Sequence, residues 1–182
     1  RCSVPPGYTT RRAAPGYRAG RAFEEALYPA GHPYARPTFG TPETVTGLTN
    51  KDVRDFYEKH YHPATCVLVL CGAIRPNHVL AELEQLLGGW ALTTPIPVID
   101  VPEATTPTGI TRVQVPLPEK SQVDLYWGAV GVSRLAPEYY AARMANVVLG
   151  RLGMMGRLGN RIREELGLAY YVSSHLEAGH GP

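Results

Sequence analysis

The sequence predicts an α+β fold, in which a sheet is backed by helices, and two observations lead to this prediction. In the first part of the chain, the apolar run TCVLVLCGA (65–73) is followed at once by an amphipathic stretch, as expected for a buried strand that leads into a helix. In the second part, RVQVPL (112–117) and QVDLYWGAV (122–130) alternate apolar and polar residues on either side of the turn PEKS, which predicts two antiparallel strands.

Helices are predicted where apolar residues recur at helical spacing beside a start signal. The first spans 21–28. The second begins after Thr49, which caps it with Asp52 in its first turn, and it buries one apolar face. That face comprises Val53, Phe56, Tyr57, His60 and Tyr61. A third helix begins at Arg75 and Pro76 and ends at the Gly-Gly pair 88–89.

Two further helices and a last strand are predicted towards the end of the chain. One helix has Pro137 in its first turn and ends at Gly150, and the next runs from Met154 or Met155 to Leu166. The run LAYYVSSHLEAG (168–179) then predicts a strand. The glycines between and within these helices are interpreted as turn and packing positions, because no strand leads into them and no GKS or GKT follows. They are Gly150, Gly153, Gly156 and Gly159.

Composition narrows the class of protein. Of 182 residues, 44% are hydrophobic and 19% charged, which is ordinary usage for a globular domain and argues against disorder. The net charge of +2 comes from scattered residues, so no nucleic-acid partner is predicted, and no apolar run is long enough to cross a bilayer. Cys66 and Cys71 are predicted to be core residues of the first strand. They do not indicate the cellular compartment of the protein, because they form no disulfide framework.

No motif for a metal site or a catalytic nucleophile is present in this sequence. HxxEH, HExxH and GxSxG are absent, so no catalytic residue and no metal ligand is assigned. Two histidine groups come nearest to a metal site, His60 with His62, and His175 with Glu177 and His180. Both are interpreted as surface or helix-end histidines.

One polar pair, Arg163 and Tyr170, is a candidate for ligand binding. The arginine lies on a predicted helix and the tyrosine begins the adjoining strand, which makes a shared cleft plausible. A guanidinium fork and a phenol both donate hydrogen bonds, as a peptide carbonyl or a developing oxyanion requires. The alternative is structural, with an exposed arginine paired to Glu164 or Glu165 and a tyrosine at the edge of the core.

Two ordered blocks resemble the M16 family of zinc metallopeptidases, the pitrilysin and insulinase group that includes mitochondrial processing peptidase. The first block is ALYPAGHPYARPTFGTPETVTGLTNKDVRDFYEKHYHPATCVLVLCGAI, with the series HPY, LT-x-x-D-x-x-x-F-Y, Y-x-P and a strand followed by Gly. The second is VVLGRLGMMGRLGNRIREELGLAYYVSS, similar to the LGG, SRL and REKLGLAY signature. MMGRL stands where a serine-rich approach to SRL is more usual.

This resemblance implies a two-layer α/β sandwich with a mixed or antiparallel sheet, built as two related halves that close over an unfolded peptide. Residues 1–91 correspond to the rear of the first half, 92–110 to a Pro-rich linker, and 111–182 to the front of the second half. Active members bind zinc on an HxxEH helix and a distant Glu in their first half, and by position that motif precedes Arg1. The resemblance therefore implies zinc in the parent enzyme and no cofactor in this chain.

The resemblance also implies a role for the polar pair. In active relatives an Arg and a Tyr of the second half bind the substrate carbonyl, and Arg163 and Tyr170 match that motif, with Arg161 as the alternative arginine. The chain alone is then inactive, and it contributes substrate binding and cleft closure to a peptidase. The alternative is an inactive partner subunit that acts in substrate capture or assembly. The implied partners are an unfolded peptide and either a catalytic M16 half or another subunit, and bacterial relatives point to the envelope or periplasm.

Overall fold

The chain is described by a computed structural model that covers residues 6–91, 95–96, 98 and 100–181. Contacts divide it into two compact units. The first unit is Gly40–Asp100, and the second joins Pro6–Phe39 to residues 101–181. The assignment of the chain to two family halves and a linker stays a prediction, and parts of that linker, residues 92–94, 97 and 99, lie outside the described residues.

The second unit begins with helix α1 (Pro6–Ala13) and helix α2 (Pro15–Leu27). Helix α2 confirms the helix predicted over 21–28 and starts earlier, at a proline whose fixed φ suits a first turn. Arg21 of helix α2 connects this helix to the short 3₁₀ turn at Pro33–Ala35. The Nη2 of Arg21 donates a hydrogen bond to the Ala35 carbonyl at 2.6 Å. The same guanidinium pairs with Glu24 at 2.5 Å.

The first unit contains helices α3 (Pro42–Gly47), α4 (Asn50–His60) and α5 (Pro76–Leu87). The predicted cap of α4 is confirmed: the Asp52 N–H donates to Thr49 Oγ1 at 3.3 Å, and the Thr49 N–H donates to Asp52 Oδ2 at 2.8 Å. Helix α5 also begins and ends where the sequence predicts, with Gly88 following its last residue. The capping box specifies the start of α4, and Pro76, whose fixed φ suits a first turn, specifies the start of α5.

The predicted burial of the α4 face is wrong. Val53, Phe56, Tyr57 and Tyr61 are all exposed, and His60 is half-buried. The rings contact one another along the helix instead, with 4.5 Å between the centroids of Phe56 and His60 and 5.3 Å between those of Tyr57 and Tyr61. Helical spacing identifies the side chains that share a face, but it does not identify what packs against that face.

The later helical part of the second unit alternates between helix types. Helix α6 (Tyr139–Asn146) continues as a π-helical segment at Val147–Arg151, so it does not end at Gly150 as predicted. A 3₁₀ turn follows at Gly153–Met155, and a second π-helical segment occupies Gly159–Glu165. The helix predicted from Met154 or Met155 to Leu166 is therefore present in a wider form, but both methionines lie in the 3₁₀ turn before it.

The predicted sheet is not found, and the α+β class and the two-layer α/β sandwich are wrong for this structure. Across the described parts of the chain, no residue pairs in a strand. The segments concerned are 65–73, 112–117, 122–130 and 168–179. Apolar alternation favours an extended backbone, but a strand also needs a neighbouring backbone to complete its hydrogen bonds. Val67 and Val69 in the first segment are exposed, and so are the free thiols of Cys66 and Cys71, which are not the core residues predicted.

Segment 122–130 contacts helix α2 through Tyr126, which is 51% exposed, and not through the face that the apolar alternation predicts to be buried. Tyr126 lies against helix α2, where a Cβ on Gly20 would be 3.4 Å from its ring, and its centroid is 6.4 Å from that of Phe23. Val123, Leu125 and Trp127 face outward, and Trp127 is 86% exposed. The glycines of α2 leave room for the tyrosine ring, which the apolar pattern of the segment does not reveal.

No helix within the described residues combines the length and apolarity needed to cross a membrane.

Candidate functional site

A glycine-rich turn, residues 150–159, holds the helical segment that carries the candidate arginine. Gly150, Gly156 and Gly159 are buried. A Cβ on Gly159 would lie 2.4 Å from the Gly153 carbonyl oxygen and 2.7 Å from the Cα of Met154. A Cβ on Gly156 would lie 3.0 Å from the Cα of Gly150. These glycines let backbone segments touch, which confirms their interpretation as packing positions.

Gly153 and Gly156 also form the turn itself. Gly153 has a φ of 59°, in the left-handed region that glycine adopts without strain. The Gly156 N–H donates to the Gly153 carbonyl at 3.2 Å, and the Asn160 N–H donates to the Gly156 carbonyl at 3.0 Å. A phosphate-binding loop would direct such N–H groups at a ligand, whereas here they bond within the turn.

The end of the π-helical segment brings the chain back toward the arginine. The Gly167 N–H donates to the Arg163 carbonyl at 3.1 Å, and the Leu168 N–H donates to the Ile162 carbonyl at 3.0 Å. Gly167 has a φ of 61°, so the chain reverses there. Tyr170, three residues further on, returns to the helix face that carries Arg163.

Arg163 lies beside three residues. Its Cζ lies 5.2 Å from the ring centroid of Tyr170, within the range of a cation–π contact. Its Nη1 contacts the sulfur of Met154, and its Nε lies 3.5 Å from Glu164 Oε1, the ion pair expected from the structural interpretation. The arginine side chain is 29% exposed, so these contacts restrict its orientation.

Tyr170 and Arg161 lie in more open surroundings. Tyr170 is 82% exposed. Arg161 pairs through Nη1 with Glu165, whose other oxygen accepts from Asn160 Nδ2 at 2.9 Å, and its side chain is 64% exposed. Residues two apart on a helix point in different directions, so the structure brings Arg163, and not Arg161, over the ring of Tyr170.

The described side chains do not fit a zinc site. Among them, no group of three or more His, Cys, Asp or Glu is placed to hold a metal ion. His62 is buried with Nε2 3.1 Å from the Lys59 carbonyl at the end of α4, and His175 Nε2 lies 3.2 Å from Ser173 Oγ. These histidines bond locally, and we derive no metal chemistry for this chain.

A cluster of aromatic rings around the buried His32 is not predicted from the sequence. The Tyr34 N–H donates to His32 Nδ1 at 3.1 Å, which leaves Nε2 to donate to the Pro102 carbonyl at 2.9 Å. The His32 ring stacks on Tyr28 with 4.9 Å between centroids. Burial, and then the neighbouring Tyr34 and Glu177, raise the pKa of Tyr28. In the sequence, the HPY tripeptide is the one feature that points to this position, and it does not predict the contacts that His32 makes.

Comparison with known proteins assigns the fold and then the family. The backbone matches the crystal structure of a peptidase M16 inactive domain from Pseudomonas fluorescens with a TM-score of 0.75, over 96% of this chain and 41% of that one. At 23% sequence identity this likeness establishes the fold alone. The peptidase M16 inactive-domain family matches residues 47–181. The chain therefore belongs to the M16 peptidase family, as the two sequence blocks indicate.

Curated relatives carry the name zinc protease. An uncharacterized zinc protease of Streptomyces coelicolor is 33% identical over 143 residues, which are 77% of this chain and 31% of that protein. An uncharacterized zinc protease of Bacillus subtilis is 28% identical over 144 residues, or 79% of this chain and 34% of that protein. The chain thus spans about a third of the length of these relatives.

Proposed function

We propose that Arg163 and Tyr170 bind the carbonyl oxygen of a peptide substrate, and that the chain contributes this part of a cleft to a zinc metallopeptidase. The observation that supports the proposal is the position of the Arg163 guanidinium over the Tyr170 ring, with 5.2 Å from Cζ to the centroid. The glycine-rich turn fixes the backbone on one side of this pair, and Gly167 fixes it on the other.

The hydrogen-bond donors of the pair suit a carbonyl oxygen. Nη1 and Nε of Arg163 face Met154 and Glu164, while Nη2 makes no hydrogen bond within the described residues. The exposed Tyr170 presents its hydroxyl to solvent. A carbonyl oxygen placed between them accepts from both, and the interaction strengthens as negative charge develops on that oxygen.

The peptide-bond chemistry itself belongs, in this proposal, to a catalytic M16 half that binds zinc outside the described residues. The names of the bacterial relatives and the match to an inactive domain support this division. This chain then binds substrate and helps to close the cleft, and the activity requires the other half.

Substitutions in the complete peptidase test the proposal. Arg163→Ala should lower kcat/KM about 100-fold, because removing an oxyanion donor has an effect of that order, and Tyr170→Phe should lower it about tenfold. Zinc content, measured by mass spectrometry, should stay unchanged. Arg161→Ala is the matched control, with an expected change of less than about twofold, since a surface ion pair contributes little.

Two results would contradict the proposal. A larger loss of turnover in Arg161→Ala than in Arg163→Ala would transfer the role to Arg161. Unchanged turnover in both Arg163→Ala and Tyr170→Phe would leave the pair with a structural role. Arg163→Lys distinguishes charge from geometry, because lysine keeps the charge but lacks the guanidinium fork.

An inactive partner subunit remains the second candidate, and the outward apolar face of segment 122–130 favours it. Val123, Leu125 and Trp127 present a surface of the kind found at subunit interfaces. The complete sequence decides between the two candidates: an HxxEH helix in the same polypeptide supports the peptidase, and its absence supports the partner subunit.

A further inference from the structure

We propose that Asn146 is a positioning residue, which holds the segment that carries Tyr170 beside the segment that carries Arg163. Asn146 Nδ2 donates to the Ser174 carbonyl at 3.3 Å, and the Ser174 hydroxyl donates to the Asn146 carbonyl at 3.4 Å. These two hydrogen bonds, the Asn146–Ser174 bridge, join the last residue of helix α6 to the chain beyond Tyr170. Their effect on turnover rests on the proposed function, whereas their effect on the geometry of the site does not.

Gly150 is the junction at which the two segments meet. It is buried, and a Cβ there would lie 2.8 Å from Ser174 Oγ and 2.9 Å from the Ser174 backbone nitrogen. A Cβ on Gly156 would in turn lie 3.0 Å from the Cα of Gly150, and Gly156 leads into the π-helical segment of Arg163. The segments of Tyr170 and Arg163 therefore pack against the same short stretch of backbone.

Tyr170 depends on an anchor of this kind, because it is 82% exposed and residues 171–174 belong to no helix or strand. Before the tyrosine, the Gly167 N–H bonds to the Arg163 carbonyl at 3.1 Å. After it, the Asn146–Ser174 bridge holds the chain four residues further on. Fixing the segment at both ends orders the ring during folding, so that substrate binding does not have to meet that entropy cost.

The side-chain amide is the part of Asn146 that can be tested by a matched substitution. Asn146→Asp keeps the shape but replaces the N–H donor with an oxygen that faces the Ser174 carbonyl. Asn146→Ala removes the same donor without adding a charge, and it serves as the second variant. Asn77→Asp is the control, because Asn77 is exposed at the start of α5 in the other compact unit.

The first test measures the geometry without activity. The complete protein carries 3-fluorotyrosine in place of Tyr170 and is examined by ¹⁹F NMR. Arg163→Lys should shift the resonance, because the guanidinium lies over the ring with 5.2 Å from Cζ to the centroid. Asn146→Asp and Asn146→Ala should also shift it, and Asn77→Asp should leave it in place.

The second test measures turnover in the complete peptidase with Tyr170 intact. Both Asn146 variants should lower kcat about fivefold with KM changed less than about twofold, because orientation acts at the reacting geometry. Ser174→Ala keeps the carbonyl that accepts from Asn146, so its kcat should fall less than about twofold. Rates are expressed per folded protein, measured by near-ultraviolet circular dichroism, which separates positioning from loss of structure.

Each combination of results has a separate meaning. A ¹⁹F resonance that responds to neither Asn146 variant overturns the inference whatever the activity. A shifted resonance with normal kcat in both variants, while Arg163→Ala is impaired, also overturns it. A shifted resonance with normal turnover in Arg163→Ala supports the bridge as an anchor for Tyr170 and contradicts the proposed function instead.

Discussion

Helix α4 and the π-helical segment Gly159–Glu165 are specified in different ways. Helix α4 has a complete capping box formed by Thr49 and Asp52, and its aromatic side chains are exposed. The π-helical segment has no side-chain cap, and it begins where buried glycines allow two turns of backbone to touch. The first helix depends on side chains at its end, whereas the second depends on the absence of side chains at its packed face.

Gly159→Ala tests this comparison with the largest expected effect. The added Cβ meets the Gly153 carbonyl and the Met154 backbone, which are atoms that cannot move aside as a flexible side chain would. We expect a loss of about 3 kcal/mol in the free energy of unfolding, the upper range for overpacking. Chemical denaturation measures it. Gly109→Ala is the control, because a Cβ there meets nothing within 4 Å, and its change should stay within about 0.5 kcal/mol. Equal effects in both variants would contradict the packing role.

Thr49→Ala tests the other side of the comparison with a smaller effect. It removes the oxygen that accepts from the Asp52 N–H, and loss of such a cap costs about 1 kcal/mol. Thr49→Ser keeps the hydroxyl and should restore most of that stability. The midpoint of urea unfolding, compared among the three proteins, measures the difference. A fully stable alanine variant would show that α4 does not depend on its cap.

The ionisation of Asp52 gives the smallest effect. Hydrogen bonds from the Thr49 hydroxyl at 2.6 Å and the Thr49 N–H at 2.8 Å lower the pKa of Asp52. Because the folded pKa lies below the unfolded one, the stabilisation is complete above the ordinary carboxyl pKa and is lost as the pH falls through the lowered pKa. A ¹³C NMR titration of the carboxyl group should show the lowered pKa, and Thr49→Ala should return it towards its ordinary value. Identical titration curves would show that the Thr49 hydroxyl does not lower the pKa of Asp52.

Local signals and short motifs were predictable from the sequence. The cap at Thr49, the start of α5 at Pro76 and the packing role of Gly159 all follow from residue types whose effect acts within a few residues. The family also follows from two blocks whose order and spacing are specific. The juxtaposition of Arg163 and Tyr170 is present, although their role in binding stays a prediction.

The pairing of distant segments was not predictable. Segment 122–130 has the alternation expected, but Tyr126 packs on α2 and Trp127 faces outward, because the glycines that receive the ring lie about a hundred residues earlier. The same limit explains the unpaired apolar run around Val69. A periodic pattern predicts which side chains lie on the same face of a segment. It does not predict which other segment packs against that face, because that segment lies elsewhere in the sequence.

The number of residues between Arg163 and Tyr170 determines whether the two side chains meet, because the chain reverses between them at Gly167. After the reversal at Gly167, exposed Leu168, half-buried Ala169 and exposed Tyr170 follow in turn. A one-residue insertion or deletion in this interval would place a different side chain beside the guanidinium. Point substitutions at Leu168 preserve that count. Variation in sequence is therefore tolerable here in a way that variation in length is not.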